Sequence, residues 1–253
     1  MNRKIGVFDS GIGGLTTLKE IQKLLPYEDF LYYADSKNNP YGEKSEKELN
    51  EIVIHIVNYL LKENVKLIVI ACNTATTRCI SMLREKFPDT IFVGTEPAIK
   101  VACDKNYANT LVMATPNTTK SERVKELIIS NQKQDQKITL VPCEDLANAI
   151  EMHNEEKINK LLHKYLDDYK NNTDALVLGC THYPIIKKEI KKIIPKAKLI
   201  DGNKGVAKQV KYQLVTNGLL KNTKSKGSVH IITTKKRWLF IFFYIILIKI
   251  MIY

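Results

Sequence analysis

Short apolar runs alternate with longer stretches in which apolar positions recur every three or four residues, and this rhythm continues through most of the chain. Lys4 to Phe8 reads as a strand that runs into Asp9-Ser10-Gly11-Ile12-Gly13-Gly14, after which a helical pattern begins at Leu15. Phe30 to Tyr33 reads as a second strand, ending in Ala34-Asp35-Ser36 and a polar loop through Asn38-Asn39-Pro40-Tyr41-Gly42. Ser45 and Glu48 have the spacing of a capping box, and Leu49, Ile52, Val53, Ile56, Val57 and Leu60 then form one helical stripe with His55 off it, in solvent. Leu67 to Ala71, a helix from about Thr74 to Lys86, and Ile91 to Val93 follow. Beyond Pro97 the rhythm restarts. It predicts strands at Thr110 to Ala114, Ile138 to Val141, Ala175 to Leu178 and Lys198 to Ile200, with helices from about Thr118, around Glu155 to Tyr169, after Pro184 and from about Val206.

Strands alternating with helices at this spacing predict an α/β fold of parallel sheets covered on both faces, built as two consecutive units. In such sheets chemistry gathers at the carboxyl ends of strands. Two strands end alike: Leu67 to Ala71 runs into Cys72-Asn73-Thr74, and Ala175 to Leu178 runs through Gly179 into Cys180-Thr181-His182. The two halves read as a pseudo-repeat with one thiol each.

Composition changes this picture little. An apolar share of 44% with 26% charged residues fits a soluble globular enzyme. A net charge of +12 raises the question of nucleic acid, but lysines such as Lys187, Lys188, Lys191 and Lys192 spread over a helical face without aromatic interleaving, so they read as solvent-facing charge. Cys72, Cys79, Cys103, Cys143 and Cys180 form no CxxC pair and no zinc-spaced cluster, which points to free thiols in a reducing cytoplasm. Cys79, Cys103 and Cys143 read as small buried hydrophobes.

The tail breaks the pattern. Lys235-Lys236-Arg237 precedes an apolar run from Trp238 to Ile248, too short for the roughly 20 residues of a spanning helix. Its Ile/Phe/Tyr/Lys vocabulary favours an aberrant, frameshifted end, with a buried terminal element and a membrane tail as the alternatives.

Two thiols facing each other across a substrate are what removing a proton from one face of a carbon and returning one to the other would need. A thiol with an ordinary pKa of about 8.5 wants a proton partner, and Asp9 and His182 can supply one per side. Asp9 also reads as a helix N-cap. Ser10, Asn73, Thr74 and Thr181, with the N–H groups of the glycine turn, are neutral donors suited to carboxylates. As a phosphate cradle the turn is weak, since it lacks both the GxGxxG spacing and the Walker lysine.

Phe8-Asp9-Ser10-Gly11-Ile12-Gly13-Gly14-Leu15-Thr16, Tyr33-Ala34-Asp35, Pro40-Tyr41-Gly42, Ala71-Cys72-Asn73-Thr74-Ala75 and Leu178-Gly179-Cys180-Thr181-His182-Tyr183-Pro184 together resemble the glutamate racemases of the aspartate/glutamate racemase superfamily. The resemblance runs from Lys4 to about Thr234. It implies two similar three-layer α/β/α domains related by a pseudo-two-fold, with residues 1–96 plus about 207–253 in the first, 97–206 in the second, and the active site in the cleft between them. It further implies cofactor-independent interconversion of L- and D-glutamate, supplying D-glutamate for peptidoglycan, with no metal. Cys72 and Cys180 become the acid/base pair, Cys72 acting on D-glutamate with Asp9 as partner and Cys180 on L-glutamate with His182, and Glu151 matches the acidic residue that supports the histidine. Substrate contacts fall on Asp9, Ser10, Tyr41, Gly42, Asn73, Thr74, Thr115, Thr118, Thr181 and His182. Aspartate racemases tend to carry glutamate after the second Cys-Thr, so His182 favours glutamate; an aspartate racemase and a non-catalytic amino-acid-binding relative are the alternatives. The partner is thus a small molecule, with no nucleic acid and no membrane unless the tail is genuine, and an exposed face on either unit could serve a homodimer. The departure lies past Thr234, where the family continues with a polar helix that packs on the first domain.

Overall fold

The computed structural model describes residues 3–235 except 224, so the expectations for the apolar tail lie outside the described residues. One sheet contains β1 (Ile5–Asp9), β2 (Phe30–Ala34), β3 (Leu67–Ile70), β4 (Phe92–Gly94) and β9 (Val229–Thr233), in the order β4-β3-β1-β2-β9. The other contains β5 (Asn109–Ala114), β6 (Lys137–Pro142), β7 (Ala175–Leu178) and β8 (Lys198–Ile200), in the order β6-β5-β7-β8. Every pairing among the described strands is parallel.

Side chains alternate between sheet faces with period two, so an apolar strand feeds two cores. In the first sheet Ile5, Val7, Tyr32, Leu67 and Val69 pack with α1 (Leu15–Leu24) and α10 (Asn203–Thr216). Phe8, Leu31, Tyr33, Ile68 and Ile70 pack on the opposite side with α2 (Glu46–Lys62) and α3 (Asn73–Lys86). The second sheet repeats the arrangement. Leu111, Met113, Leu176 and Leu178 meet α7 (Leu146–Glu151), α8 (Glu155–Leu166) and α9 (Lys187–Ile193), while Val112, Ala175 and Val177 meet α4 (Ile99–Asp104) and α6 (Glu122–Asn131). Each unit is therefore a helix/sheet/helix sandwich, as the strand–helix rhythm implies.

With β9 set aside, the first sheet runs β2-β1-β3-β4 and the second β6-β5-β7-β8, which is one connectivity used twice. Cys72 follows β3 and Cys180 follows β7, the third strand of each unit, so the pseudo-repeat is real at the level of topology. The order reverses between first and third strands, and that is where an open α/β sheet leaves a crevice at its carboxyl edge.

Local chemistry explains several boundaries. Ser45 and Glu48 form the capping box at the start of α2, and His55 is exposed as expected. The helix expected from about Thr118 is instead two: Thr115 caps α5 (Pro116–Thr119), and Ser121 donates to the Thr118 carbonyl at 2.7 Å while its oxygen caps α6. At the opposite edge of the first sheet, buried Lys66 pairs with Glu28 at 2.6 Å and donates to the Leu219 carbonyl at 2.7 Å. Glu28 also accepts from the Lys221 N–H at 2.7 Å, so this pair anchors the segment between α10 and β9.

Candidate active site

β1 delivers Asp9 as its last residue, fully buried. Its Oδ2 accepts the Gly14 N–H at 2.8 Å and the Gly11 N–H at 3.4 Å, and its Oδ1 accepts the Thr181 hydroxyl at 3.3 Å. The two readings of Asp9 thus hold together: it ties down the turn before α1 and faces the second unit. Burial pushes its carboxyl up from an ordinary 3.8 to about 6, partly offset by the charge of His182 and the Gly14 N–H, with Glu151 adding to the rise.

Cys72 stands in extended backbone at the N-cap of α3, buried. Burial raises its thiol well above the ordinary value, and the charge of Asp9, to which it hydrogen-bonds, raises it further. The charge of Cys180 adds a smaller rise.

Cys180, also buried, has its Sγ 3.9 Å from His182 Nδ1, and His182 Nε2 lies 2.7 Å from Glu151 Oε2. Glu151 closes α7 and reaches across to the first unit, accepting the Ile12 N–H at 2.9 Å and the Ser36 hydroxyl at 3.3 Å. Burial opposes protonation of His182, yet its bonds to Cys180 and Glu151, and their charges, outweigh burial and hold it well above the ordinary value. Burial alone would raise Glu151, but the same bond to His182, with Ile12 and Ser36, brings it below the usual carboxylate range. The result is an imidazole clamped between a carboxylate and a sulfur, in surroundings that favour its protonated form.

The glycine turn exists to make room for this clamp. A Cβ on Gly11 would lie 2.3 Å from a Glu151 oxygen, and one on Gly13 would lie 2.5 Å from His182 Nδ1 and 2.7 Å from the Thr181 hydroxyl. Any side chain there would expel the groups the turn now receives.

The remaining candidates sort by contact. Thr74, Thr115 and Thr118 form a closed triangle of hydroxyls, 2.9 to 3.2 Å apart, that joins the two units. Gly42 lies against Thr115, since a Cβ there would come within 2.7 Å of the threonine Cβ. Asn73 is buried, and its Oδ1 has no hydrogen-bond partner. Ser10 is buried beside Asp9, to which its N–H is directed. Tyr41 is buried too, but its hydroxyl donates to Asp35 Oδ2 at 2.7 Å and its carbonyl accepts from the Asn117 amide at 3.2 Å, so its side chain serves the loop. Cys79, Cys103 and Cys143 are buried in the cores, and burial pushes the Cys79 thiol up to about 12.

Sequence reasoning missed three residues around this site. Asp35 organises the polar loop, accepting Asn38 as well as Tyr41. Ser36 reaches Glu151, and Tyr32 donates to the Gly11 carbonyl at 2.7 Å. Asp35 and Ser36 carried a usable signal, as polar residues at a strand's carboxyl end; Tyr32, in the middle of an apolar strand, carried none.

Two buried thiols at the ends of equivalent strands, each beside a titratable partner, form the arrangement that a two-base racemase or epimerase would use. A family model described as Asp/Glu/Hydantoin racemase matches residues 21–210. The glutamate racemase of Clostridium acetobutylicum is 42% identical over 239 residues, covering 93% of each chain. Among solved structures, glutamate racemase from Francisella tularensis in complex with D-glutamate superposes with a TM-score of 0.81 at 33% identity, covering 94% of this chain and 90% of that one. Escherichia coli glutamate racemase in complex with L-glutamate and the activator UDP-MurNAc-ala gives 0.77 at 32%, covering 92% and 90%. The chain belongs to the Asp/Glu/Hydantoin racemase family.

Proposed function

We propose that the protein is a glutamate racemase that interconverts L- and D-glutamate by proton transfer at Cα between two cysteine thiols, supplying D-glutamate for peptidoglycan. The observation that carries this reading is the pairing of Cys72 with Asp9 on one side and of Cys180 with His182 and Glu151 on the other. Cys180 takes the Cα proton of L-glutamate, and Cys72 returns one to the opposite face; from D-glutamate the roles reverse. His182 and Asp9 exchange protons with their respective sulfurs, and Glu151 keeps His182 charged and oriented.

Substrate recognition fits the neutral polar groups around the two thiols. The hydroxyls of Ser10, Thr74, Thr115 and Thr118 and the N–H groups at Gly42 and the start of α3 are neutral donors for the two carboxylates. The buried, unpaired Oδ1 of Asn73 is an acceptor matched to the substrate ammonium. The glutamate named in complexes of relatives above 30% identity supports the substrate, and the cell-wall precursor named as activator in one supports the peptidoglycan role. Among the described residues no helix is long and apolar enough to cross a membrane, which is compatible with a cytoplasmic enzyme. An exposed face on either unit could pair two copies as a homodimer.

The test is solvent exchange. In deuterated water either enantiomer of glutamate should gain deuterium at Cα during turnover, read by proton magnetic resonance alongside optical rotation. Folded protein that neither exchanges this proton nor racemises glutamate defeats the reading.

A further inference from the structure

Glu151 belongs to the second unit, yet two of its three hydrogen-bond donors come from the first: the Ile12 N–H and the Ser36 hydroxyl, with His182 as the third. Ile12 lies in the glycine turn, and what suspends that turn is therefore part of Glu151's surroundings. From the strand end, Asp9 holds it through Gly14 at 2.8 Å. From beneath, Tyr32 holds it: fully buried on β2 opposite Val7, it donates to the Gly11 carbonyl at 2.7 Å. The contact is close, since a Cβ on Gly14 would lie 2.7 Å from the Tyr32 oxygen and 2.6 Å from Asp9 Cβ. Ser36 follows β2 and is 2% exposed. One strand thus supports the turn from below with Tyr32 and meets Glu151 directly with Ser36.

We propose that Tyr32 and Ser36 are positioning residues that hold Glu151 from the neighbouring unit, so that it stays ionised and keeps His182 turned toward Cys180. Neither needs to touch substrate. Their effect is passed along Tyr32, Gly11, Ile12 and Glu151 on one route and from Ser36 to Glu151 on the other. The titratable groups that face Glu151 are His182, Asp9, Tyr32 and His153. Donors on a carboxylate favour its charged form, so removing one makes Glu151 take a proton at higher pH. This inference rests on the racemase reading.

The experiment compares kcat, KM and the pH profile of Tyr32→Phe, Ser36→Ala and Ser36→Thr with those of the wild type, each variant first shown folded by circular dichroism. Tyr32→Phe and Ser36→Ala should lower kcat on the order of tenfold to a hundredfold, leave KM within about threefold, and move the acid limb of kcat to higher pH. Ser36→Thr, which keeps the hydroxyl, should keep the wild-type limb. Loss of stability alone would lower the amount of folded enzyme without moving that limb. Should Tyr32→Phe not fold, Ser36→Ala decides. An unmoved acid limb in folded Ser36→Ala overturns the inference while active wild type leaves the racemase reading intact; wild type without exchange defeats that reading instead.

Discussion

Asp9 should weaken the fold that it serves, and Asp9→Asn measures by how much. Its carboxyl is fully buried and rises from an ordinary 3.8 to about 6 on folding. The folded state therefore holds this proton more tightly than the unfolded state between about pH 4 and pH 6. The stability that Asp9 contributes is fully present below about pH 4 and is lost as pH rises through 6. A rise of about two, at about 1.4 kcal/mol for each tenfold in acidity, means that ionised Asp9 costs the native state about 3 kcal/mol at pH 7 relative to its protonated form. Asparagine is a neutral isostere. Its Oδ1 can keep the Gly14 N–H, and its amide can meet the Thr181 hydroxyl, which rotates to accept. Urea denaturation of wild type and Asp9→Asn at pH 4 and pH 7 should show a stability difference that moves in favour of the variant by up to about 3 kcal/mol between the two conditions. Racemisation should fall by a factor of about 10² to 10⁴, as removal of an acid/base partner does. A difference that is flat across this range, or that moves in favour of wild type as pH rises, refutes the argument that burial dominates the Asp9 environment.

Cys72→Ser and Cys180→Ser should each abolish racemisation, yet each should leave slow deuterium exchange at Cα of a single enantiomer, opposite for the two variants, seen by magnetic resonance in deuterated water. Gly11→Ala and Gly13→Ala drive a methyl to 2.3 Å from Glu151 and 2.5 Å from His182, so each should cut kcat on the order of a hundredfold with the circular dichroism spectrum retained. Lys66→Met strands the buried carboxylate of Glu28 and should cost about 3 to 5 kcal/mol in urea denaturation without altering KM of the remaining folded enzyme.

The two strands that carry the thiols were legible because they are fully buried on both faces, and such strands read as unbroken apolar runs ending in polar residues. β9 was not legible. Its sequence Val229-His230-Ile231-Ile232-Thr233 is only partly buried at the sheet edge, follows a polar linker, and draws its place from parallel pairing with β2, a contact nearly 200 residues distant that no local pattern encodes. α4 and α7 were missed because each has six residues, too few for a period to emerge, and α7 begins after Asp145 in the left-handed region at φ 62. At the site, Cys72, Cys180, Asp9 and His182 announced themselves by type and by position at strand ends. Glu151 did not, since on its own residues it is one acid among many; the family resemblance singled it out. Its partners Ile12 and Ser36 lie more than a hundred residues away, so its surroundings exist only in the folded chain.

Duplicated connectivity gives the scaffold its symmetry, but the protons are distributed unequally. Burial and the nearby charge of Asp9 favour the thiol form of Cys72, whereas on the other side Glu151 favours the protonated form of His182. On the proposed two-thiol mechanism, L-glutamate is processed when the transferable proton sits on Cys72, and D-glutamate when it sits on the other sulfur. On that mechanism each turnover leaves the proton inventory inverted, and it must be restored before the same enantiomer is processed again; Asp9, hydrogen-bonded to Cys72 and raised to about 6, is the group placed to return a proton to that sulfur. Because the free enantiomers are equal in energy, kcat/KM must be the same in both directions whatever the inventory. The inequality can act only on kcat and KM separately.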